Sequence, residues 1–542
     1  MDAPHTRAVA SISLTIRDFH RTKTPFRIYH GSTNSTRPST AFHPARLVDT
    51  SRLNRILHVD KHARTALVEP KVSMDQLVAA TLPHGLIPPV VMEFPGITVG
   101  GAFAGLAGES SSFRWGLFDA TVRWVEVVLG DGEVVGASAE ERPDLFYGMV
   151  GAMGSVGVVT ALEVRLVQAR RFVEVTYWPV EGAGEAGRVV RREMGRVVRR
   201  EMGRGVGVVD YVDGIMFSGD RGLVMAGRLT DEVTAGEGGV KRFTRAWDDW
   251  FYTHAEAVCG RAFAKQVREP IVETVPLVDY LFRYDRGAFW AGARGFNYFH
   301  VPFNRFTRWL FNGLMHTRTL YHALHRSGFS HRSIVQDLGI PHSKAEEFIH
   351  FIDETLHCYP LWLCPIRLGC SEGHQSFVPR WITPSPPLPQ TPNADAEGIY
   401  LNVGVWCIGP PSHSACHALN RTIEAKVQSL QGAKCLYAHA HYTEDEFWTI
   451  YDRAWYTSLR EKYAATYLPD VYEKVKTDPE AARRAVSGVW RVGLVAGVYG
   501  VVSAVVGGEY LVGEGRGRRR VGAGVVLVLA LVVAWVVGVV GV

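Results

Sequence analysis

Three stretches of this chain carry more backbone than side chain. The longest, TVGGAFAGLAGESSSFRWGLFD (Thr98–Asp119), holds five glycines, three consecutive serines and one glutamate. A residue without Cβ lets backbone N–H groups come close to a ligand, so Gly100, Gly101, Gly105 and Gly108 read as a binding surface. On this reading Thr98 and Val99 end a strand, the two glycines after them donate amides, and Glu109 and Ser110 add a carboxylate and a hydroxyl. A second stretch, Gly31-Ser32-Thr33-Asn34-Ser35, is a nest of small donors. A third runs through Gly154 and Ser155 to Gly157, Val158 and Val159, where a turn enters a strand. Any one alone is more often a turn than a site. Three in one region suit a long dinucleotide with a pyrophosphate in its middle.

Residues able to move protons come next. In Tyr437-Ala438-His439-Ala440-His441 the alternation puts Tyr437, His439 and His441 on one strand face, either as acids at a site or as a half-exposed strand with surface histidines. Glu109 is either a ligand-side carboxylate or an acceptor for the Ser111 and Ser112 amides. Glu126 interrupts an apolar run, so it needs a partner, Arg123 or a backbone amide, and reads as structural. Cys364 in WLCP reads as core rather than nucleophile.

The elements that must position these groups are short strands and turns from Thr40 to Gln168. Leu47–Asp60 and Thr65–Ser73 alternate as half-buried strands, and Met74–Leu86 has helical spacing that stops at Pro83-His84-Gly85. Val122–Ser138 is a hairpin around Gly130-Asp131-Gly132. Regular helical crossovers are missing, so the region is α+β rather than a doubly wound sheet. From Arg170 to Leu430 the chain turns aromatic and basic, with Phe282–Phe311 as the extreme, which suits a large apolar-ligand pocket. His441–Val475 is helical behind a capping box at Thr443–Glu446. An eight-residue run, RVVRREMG, stands twice in tandem over 188–203 and lengthens a basic surface helix.

At 542 residues there is chain enough for two or three domains. A net charge of +5 with 21% charged residues is too weak and too scattered for nucleic acid. Seven cysteines without a CxxC pair fit reduced thiols, and no secretory signal is visible in the first 37 residues. Val521–Val542 is uncharged for 22 residues behind the basic run 516–520, which predicts a membrane anchor with its arginines on the cytoplasmic side.

The order Val68-Glu69-Pro70, Thr98–Gly101, Asp131-Gly132, Pro143–Phe146, Gly151–Thr160 resembles the FAD-binding domain of the vanillyl-alcohol oxidase superfamily, of the PCMH type. GGAFAGLAGESSSFRWGLFD, YPLWLCPIRL (Tyr359–Leu368) and Leu436–Val475 narrow the resemblance to the delta-24 sterol reductases, over most of Thr40–Lys476. The fold implied is α+β: an FAD-binding domain of two α/β subdomains over 20–168, a cap over 169–435, a return to the flavin over 436–478, and a hydrophobic tail over 479–542. Members of that family carry an N-terminal membrane helix; here the expected anchor is the span 521–542.

The resemblance implies reduction of a sterol side-chain C24–C25 double bond, with NADPH as electron donor and FAD between them. The first loop has no histidine in the register of a covalent flavin link, so FAD is expected to be noncovalent. No NADPH fingerprint is readable. The implied location is the endoplasmic reticulum membrane with the catalytic part cytosolic. Two alternatives compete: an oxidase of the same superfamily acting on an alcohol or sugar with oxygen as acceptor, and a fold that only binds lipid. The missing covalent histidine and the aromatic cap favour the reductase.

Overall fold

The computed structural model describes residues 2–31, 44–201, 209–233, 239–266, 268–327, 333–369, 374–382, 398–410 and 412–477, with a few positions between 497 and 504. The expected donors Ser32 to Ser35, the proline-rich run 383–393 and the expected span 521–542 lie outside the described residues. Among the described residues no helix is long and apolar enough to cross a membrane.

Two antiparallel sheets organise the chain. The first has five strands in the order Ile56–Asp60, Thr65–Val68, Val158–Arg165, Val122–Val128 and Val134–Ser138. Its last pair is the expected hairpin, closed where Gly132 takes φ +86°, a conformation that disfavours any side chain. A short parallel pair, Arg27–Tyr29 with Leu47–Asp49, stands beside it. The second sheet has eight strands in the order Ile271–Pro276, Phe172–Val180, Gly222–Thr230, Tyr211–Met216, Leu361–Arg367, Ile399–Ile408, Ser333–Pro341 and Ala433–Lys434.

The eight-stranded sheet is buried on both faces, which its run of apolar residues dictates. Tyr211, Ile215, Leu223 and Met225 point into a core shared with the five-stranded sheet. Their neighbours Val212, Met216, Val224 and Ala226 point the other way, under the helices Gly182–Glu201, Ala345–Leu356 and His413–Ser429. The tandem repeat lies largely in the first of these: Val189 and Val190 are buried, and Arg192 lies over the Trp178 ring at 4.0 Å.

The N-terminal segment, too polar to suggest a core element, folds as a helix, Ala3–Arg21. Val9, Ile12 and Ile16 form a helical stripe that packs on Val128 and Val158. His5 is buried between two carboxylates, Glu69 at 2.8 Å and Glu126 at 3.0 Å. Glu126 also accepts the Thr160 hydroxyl at 2.5 Å. Its side-chain partners are thus His5 and Thr160, not the Arg123 suggested by the sequence.

Candidate functional site

The three glycine stretches converge. Thr98 does not end a strand. It caps the helix Val99–Ala104, its hydroxyl accepting from the Gly101 amide at 3.2 Å. The Val99 and Gly100 amides donate to the Val72 and Pro70 carbonyls, each at 2.8 Å. These three N–H groups are therefore satisfied within the protein and not held out to a ligand. What the glycines supply is close approach. A Cβ on Gly100 would stand 2.6 Å from Pro70 Cβ, so the helix can seat on the Glu69–Lys71 turn only with glycine there.

The other two stretches meet this turn. Gly31 takes φ +69° beside Lys71, whose Nζ would lie 3.6 Å from a Cβ at that position. Gly154 takes φ +68° against Ile28 of the short parallel pair, and the Met153 amide donates to the Ala104 carbonyl at 3.2 Å. Lys474 Nζ donates to the Met153 and Gly154 carbonyls at 3.0 and 2.8 Å. Ser155 is fully buried and accepts the Tyr456 phenol at 2.6 Å. Gly157 packs on Val127, and Val158 and Val159 continue into the strand. The sequence reading missed both lysines. The signal for Lys71 was its place directly after Val-Glu-Pro; Lys474 lies on a distant helix and had none.

This cradle fits a dinucleotide. Lys71 and Lys474 stand beside Gly31 and Gly154, and the buried His30 Nδ1 has no hydrogen-bond partner among the described residues. Burial, with the Lys71 charge behind it, takes the His30 imidazole down to about 4, so the ring is neutral beside the lysine at ordinary pH.

The Glu109 end of the stretch does something else. Gly105 stays at the cradle's edge, its carbonyl accepting from Cys435 Sγ at 3.8 Å, and Gly108 packs against Leu117 and Ile366. Beyond it the chain docks on the eight-stranded sheet, the Val212 amide donating to the Ser110 carbonyl at 2.8 Å. Glu109 is buried, takes the Ser110 hydroxyl, and pairs with the buried Arg283 at 3.1 Å. Arg283 also reaches Asp213 at 2.9 Å, which accepts from Tyr284 at 2.7 Å and Trp362 at 3.2 Å. Glu109 and Ser110, expected at the cofactor, instead hold a seam between the two sheets. The Arg283 guanidinium lies over the Tyr280 ring at 4.1 Å, in the aromatic and basic segment.

The expected Tyr437–His441 strand does not form. The last strand ends at Lys434, whose ammonium is tied to Glu424 and to the His439 carbonyl, and the chain then turns. The three side chains diverge as a result. Tyr437 donates to Asp337 at 2.6 Å. His441 faces the helix His413–Ser429, 5.0 Å from the His417 ring, with its amide on Glu424. Burial, reinforced by Lys434, takes His441 down to about 2, so it is no proton donor near neutral pH. His439 lies 6.5 Å from His441, ring to ring.

Tyr437 instead joins a group the sequence did not reveal. Asp337 also accepts from Asn402 at 2.9 Å, and the Cys435 amide bonds its carbonyl at 2.9 Å. Burial raises the Asp337 carboxyl against the pull of those donors. Glu93 is 6% exposed, its Oε2 has no partner, and burial with the Glu109 and Asp337 charges holds it well above the carboxylate range. Its neighbour Phe94 starts an aromatic wall, 5.7 Å from Phe289 and 6.0 Å from both Trp406 and Tyr321. Phe289 meets Trp406 edge-on at 4.3 Å and stacks on Tyr284 at 3.9 Å. The arrangement brings a buried carboxyl whose protonated form is favoured, and a hydrogen-bonded phenol–carboxyl pair, beside a buried aromatic surface. Among the described residues no cluster could hold a metal ion.

An FAD binding domain model matches residues 5–138 of this chain. The Delta(24)-sterol reductase of Homo sapiens is 29% identical over 428 residues, covering 78% of this chain and 76% of that protein. That of Arabidopsis thaliana is 28% identical over 457 residues, covering 79% and 76%. Decaprenylphosphoryl-beta-D-ribose oxidase of Mycolicibacterium smegmatis is 33% identical over 137 residues, a quarter of this chain and 29% of its own length.

Proposed function

We infer, from an FAD binding domain joined to a likeness with Delta(24)-sterol reductases that runs through 78% of the chain, that this protein is an FAD-dependent reductase of the sterol side-chain C24–C25 double bond. The cradle would hold FAD, whose chemistry when bound is hydride transfer. The chain must then supply a proton, because an isolated alkene has no carbonyl to polarise. Protonation at C24 leaves positive character on the tertiary C25, which accepts the hydride.

Glu93 is the group best placed to hold that proton. Burial and two nearby carboxylates favour its protonated form, and one of its oxygens is uncommitted. Phe94, Phe289 and Trp406 exclude water and present π faces and edges that tolerate a cationic carbon. Asp337 and Tyr437 form a hydrogen-bonded pair that orients the phenol and is the second proton-holding group. Lys71 and Lys474 would supply positive charge to the pyrophosphate of a bound FAD, and His30, outside the covalent register, would leave that FAD noncovalently held.

NADPH is the proposed electron donor. The finer architecture we propose has two subdomains in the FAD-binding part, an α+β cap, and the tail 521–542 as an anchor in the endoplasmic reticulum membrane with the catalytic part cytosolic. The likeness to Delta(24)-sterol reductases through 78% of the chain carries this reading over the oxidase, whose relative matches only a quarter of it.

Glu93→Gln tests it. Purified protein reduced anaerobically with NADPH should bleach at the wild-type rate. Reoxidation by a Δ24 sterol should slow about 10²- to 10⁴-fold, the usual contribution of a positioned acid. Unchanged sterol reoxidation removes Glu93 from the mechanism. Wild-type protein that reoxidises with air but not with the sterol removes the reductase reading itself.

A further inference from the structure

From Arg286 to Gln336 the chain has seven arginines and five histidines and not one aspartate or glutamate in 51 residues. This segment carries the helix Arg305–Leu310, on which Phe306 is 59% and Leu310 44% exposed. Phe303 stands exposed just ahead of it. Trp309 stacks on the exposed Trp247 at 4.6 Å and meets Phe306 at 5.8 Å. Every exposed tryptophan and phenylalanine among the described residues lies in this one patch. A soluble surface scatters such groups singly; a contiguous aromatic patch marks something that covers it.

Charge and chain direction say what covers it. Arg305 is exposed and fixed by its hydrogen bonds to the Trp247 carbonyl at 3.2 Å. Two acids follow Trp247: Asp248 accepts the Arg245 amide at 2.8 Å and Asp249 is paired with Arg308 at 2.8 Å. Tryptophan, phenylalanine and leucine beside the exposed Arg305 is the composition of an element lying in the headgroup region of an anionic bilayer. The described part of the C-terminal segment reaches the same region: Gly497 lies against Tyr298 and Phe299, and Gly500 against Ala323 and Ser327. From 504 the sequence continues through the basic residues 516–520 to the uncharged run 521–542. The intervening sixteen residues span at most ~55 Å, so that run and the patch can meet one membrane.

We propose that Trp247, Phe303, Phe306, Trp309 and Leu310 form a membrane-contact surface that seats the protein on an anionic bilayer. The contact is separate from the tail and independent of which molecule the site reduces. It orients the cap: Phe303 packs on Trp250 and Phe296, each at 5.3 Å, so the patch is continuous with the aromatic interior.

The test is hydrogen–deuterium exchange on the full chain, alone and with vesicles of phosphatidylcholine with or without phosphatidylserine. Phosphatidylserine vesicles are expected to slow exchange over 303–314 about tenfold, neutral vesicles less. Phe306→Asp with Leu310→Asp should abolish that protection while leaving the melting temperature and any protection of 521–542 unchanged. Exchange over 303–314 that ignores vesicles overturns the proposal, as does protection retained by the double variant. Protection that rises with protein concentration without lipid overturns it too, since a second copy would then be the occupant. No turnover is measured, so failure here is distinguishable from failure of the sterol assay.

Discussion

Arg283→Met isolates the seam between the two sheets. The guanidinium is 1% exposed and is shared between Glu109 and Asp213, themselves 2% and 0% exposed. Its removal leaves Asp213 with the Tyr284 and Trp362 donors and Glu109 with Ser110, but neither with a counter-charge. Breaking a buried pair from one side costs about 3–5 kcal/mol. In a chain of this size ~1 kcal/mol moves Tm by roughly 1 °C, so calorimetry should read a fall of roughly 3–5 °C. Pairing the change with Asp213→Asn removes the stranded charge and should recover at least half of the loss. The deficit also depends on pH. Burial raises the Glu109 carboxyl, and Arg283 is the largest influence opposing that rise. A carboxyl whose folded value is raised favours the fold at low pH and loses that advantage as pH climbs through the folded value. Without Arg283 the value rises further, so the Arg283→Met deficit should be larger at pH 8 than at pH 5. An Arg283→Met protein that melts within about 1 °C of wild type refutes the seam. A deficit that Asp213→Asn leaves untouched refutes its electrostatic account.

Two further outcomes follow from the same geometry. Gly100→Ala places a Cβ 2.6 Å from Pro70 and should push the helix Val99–Ala104 off its turn, lowering the flavin absorbance per mole of purified protein several-fold; full flavin content would show that the close approach is not needed. His441 and His30 are held neutral in the fold, down to about 2 and about 4, while the unfolded chain protonates them near 6.5. Stability is therefore lost as pH falls below 6.5, by ~2 kcal/mol for each at pH 5, and His441→Gln should flatten the acid limb of a denaturation series; an unchanged slope excludes the assignment.

The glycine cradle was legible because room beside the backbone is a local property: Gly31, Gly100 and Gly154 need only their own missing side chains. Its amide donors were misread, since nothing local says that Val72 and Pro70 already accept from Val99 and Gly100. The role of Glu109 was hidden because its partner lies 174 residues on, in a segment whose interleaved aromatics and arginines look alike whether they face water or Asp213. The Tyr437–His441 strip failed for a related reason. Alternation predicts a strand only if the edge beside it is open, and here Lys434, tied to Glu424 and His439, turns the chain away. Glu93 and Asp337 carried no motif at all. Their chemistry is made by burial, which a sequence does not print. The N-terminal helix was readable in principle, from Val9, Ile12 and Ile16 at helical spacing, behind a polar composition that disguised it.

One continuous segment connects the two halves of the proposed chemistry. Thr98 to Gly101 seats on the Glu69–Lys71 turn at the cradle. Gly105 meets Cys435, two residues from the Tyr437 that bonds Asp337. Glu109 and Ser110 then lock onto Arg283 and Val212 of the cap, and the helix Ser112–Trp115 follows directly. A reductase of an unactivated alkene needs its hydride source and its acid at a fixed separation, because neither group can pull the substrate into place electrostatically. Here Glu93 and Phe94 lie just ahead of the cradle, and about a dozen residues beyond it run to the seam, pinned at both ends by buried contacts. Glycine at the cradle end and the ion-paired seam at the other are two answers to one requirement. Loosening either should lower the rate of alkene reduction before it lowers the affinity for sterol, a split that kcat and KM measured on Arg283→Lys can read. That variant keeps the charge but loses the guanidinium fork that spans Glu109 and Asp213. Its kcat should fall with KM little changed. A rise in KM alone would mean that the seam shapes the sterol pocket and does not set the separation.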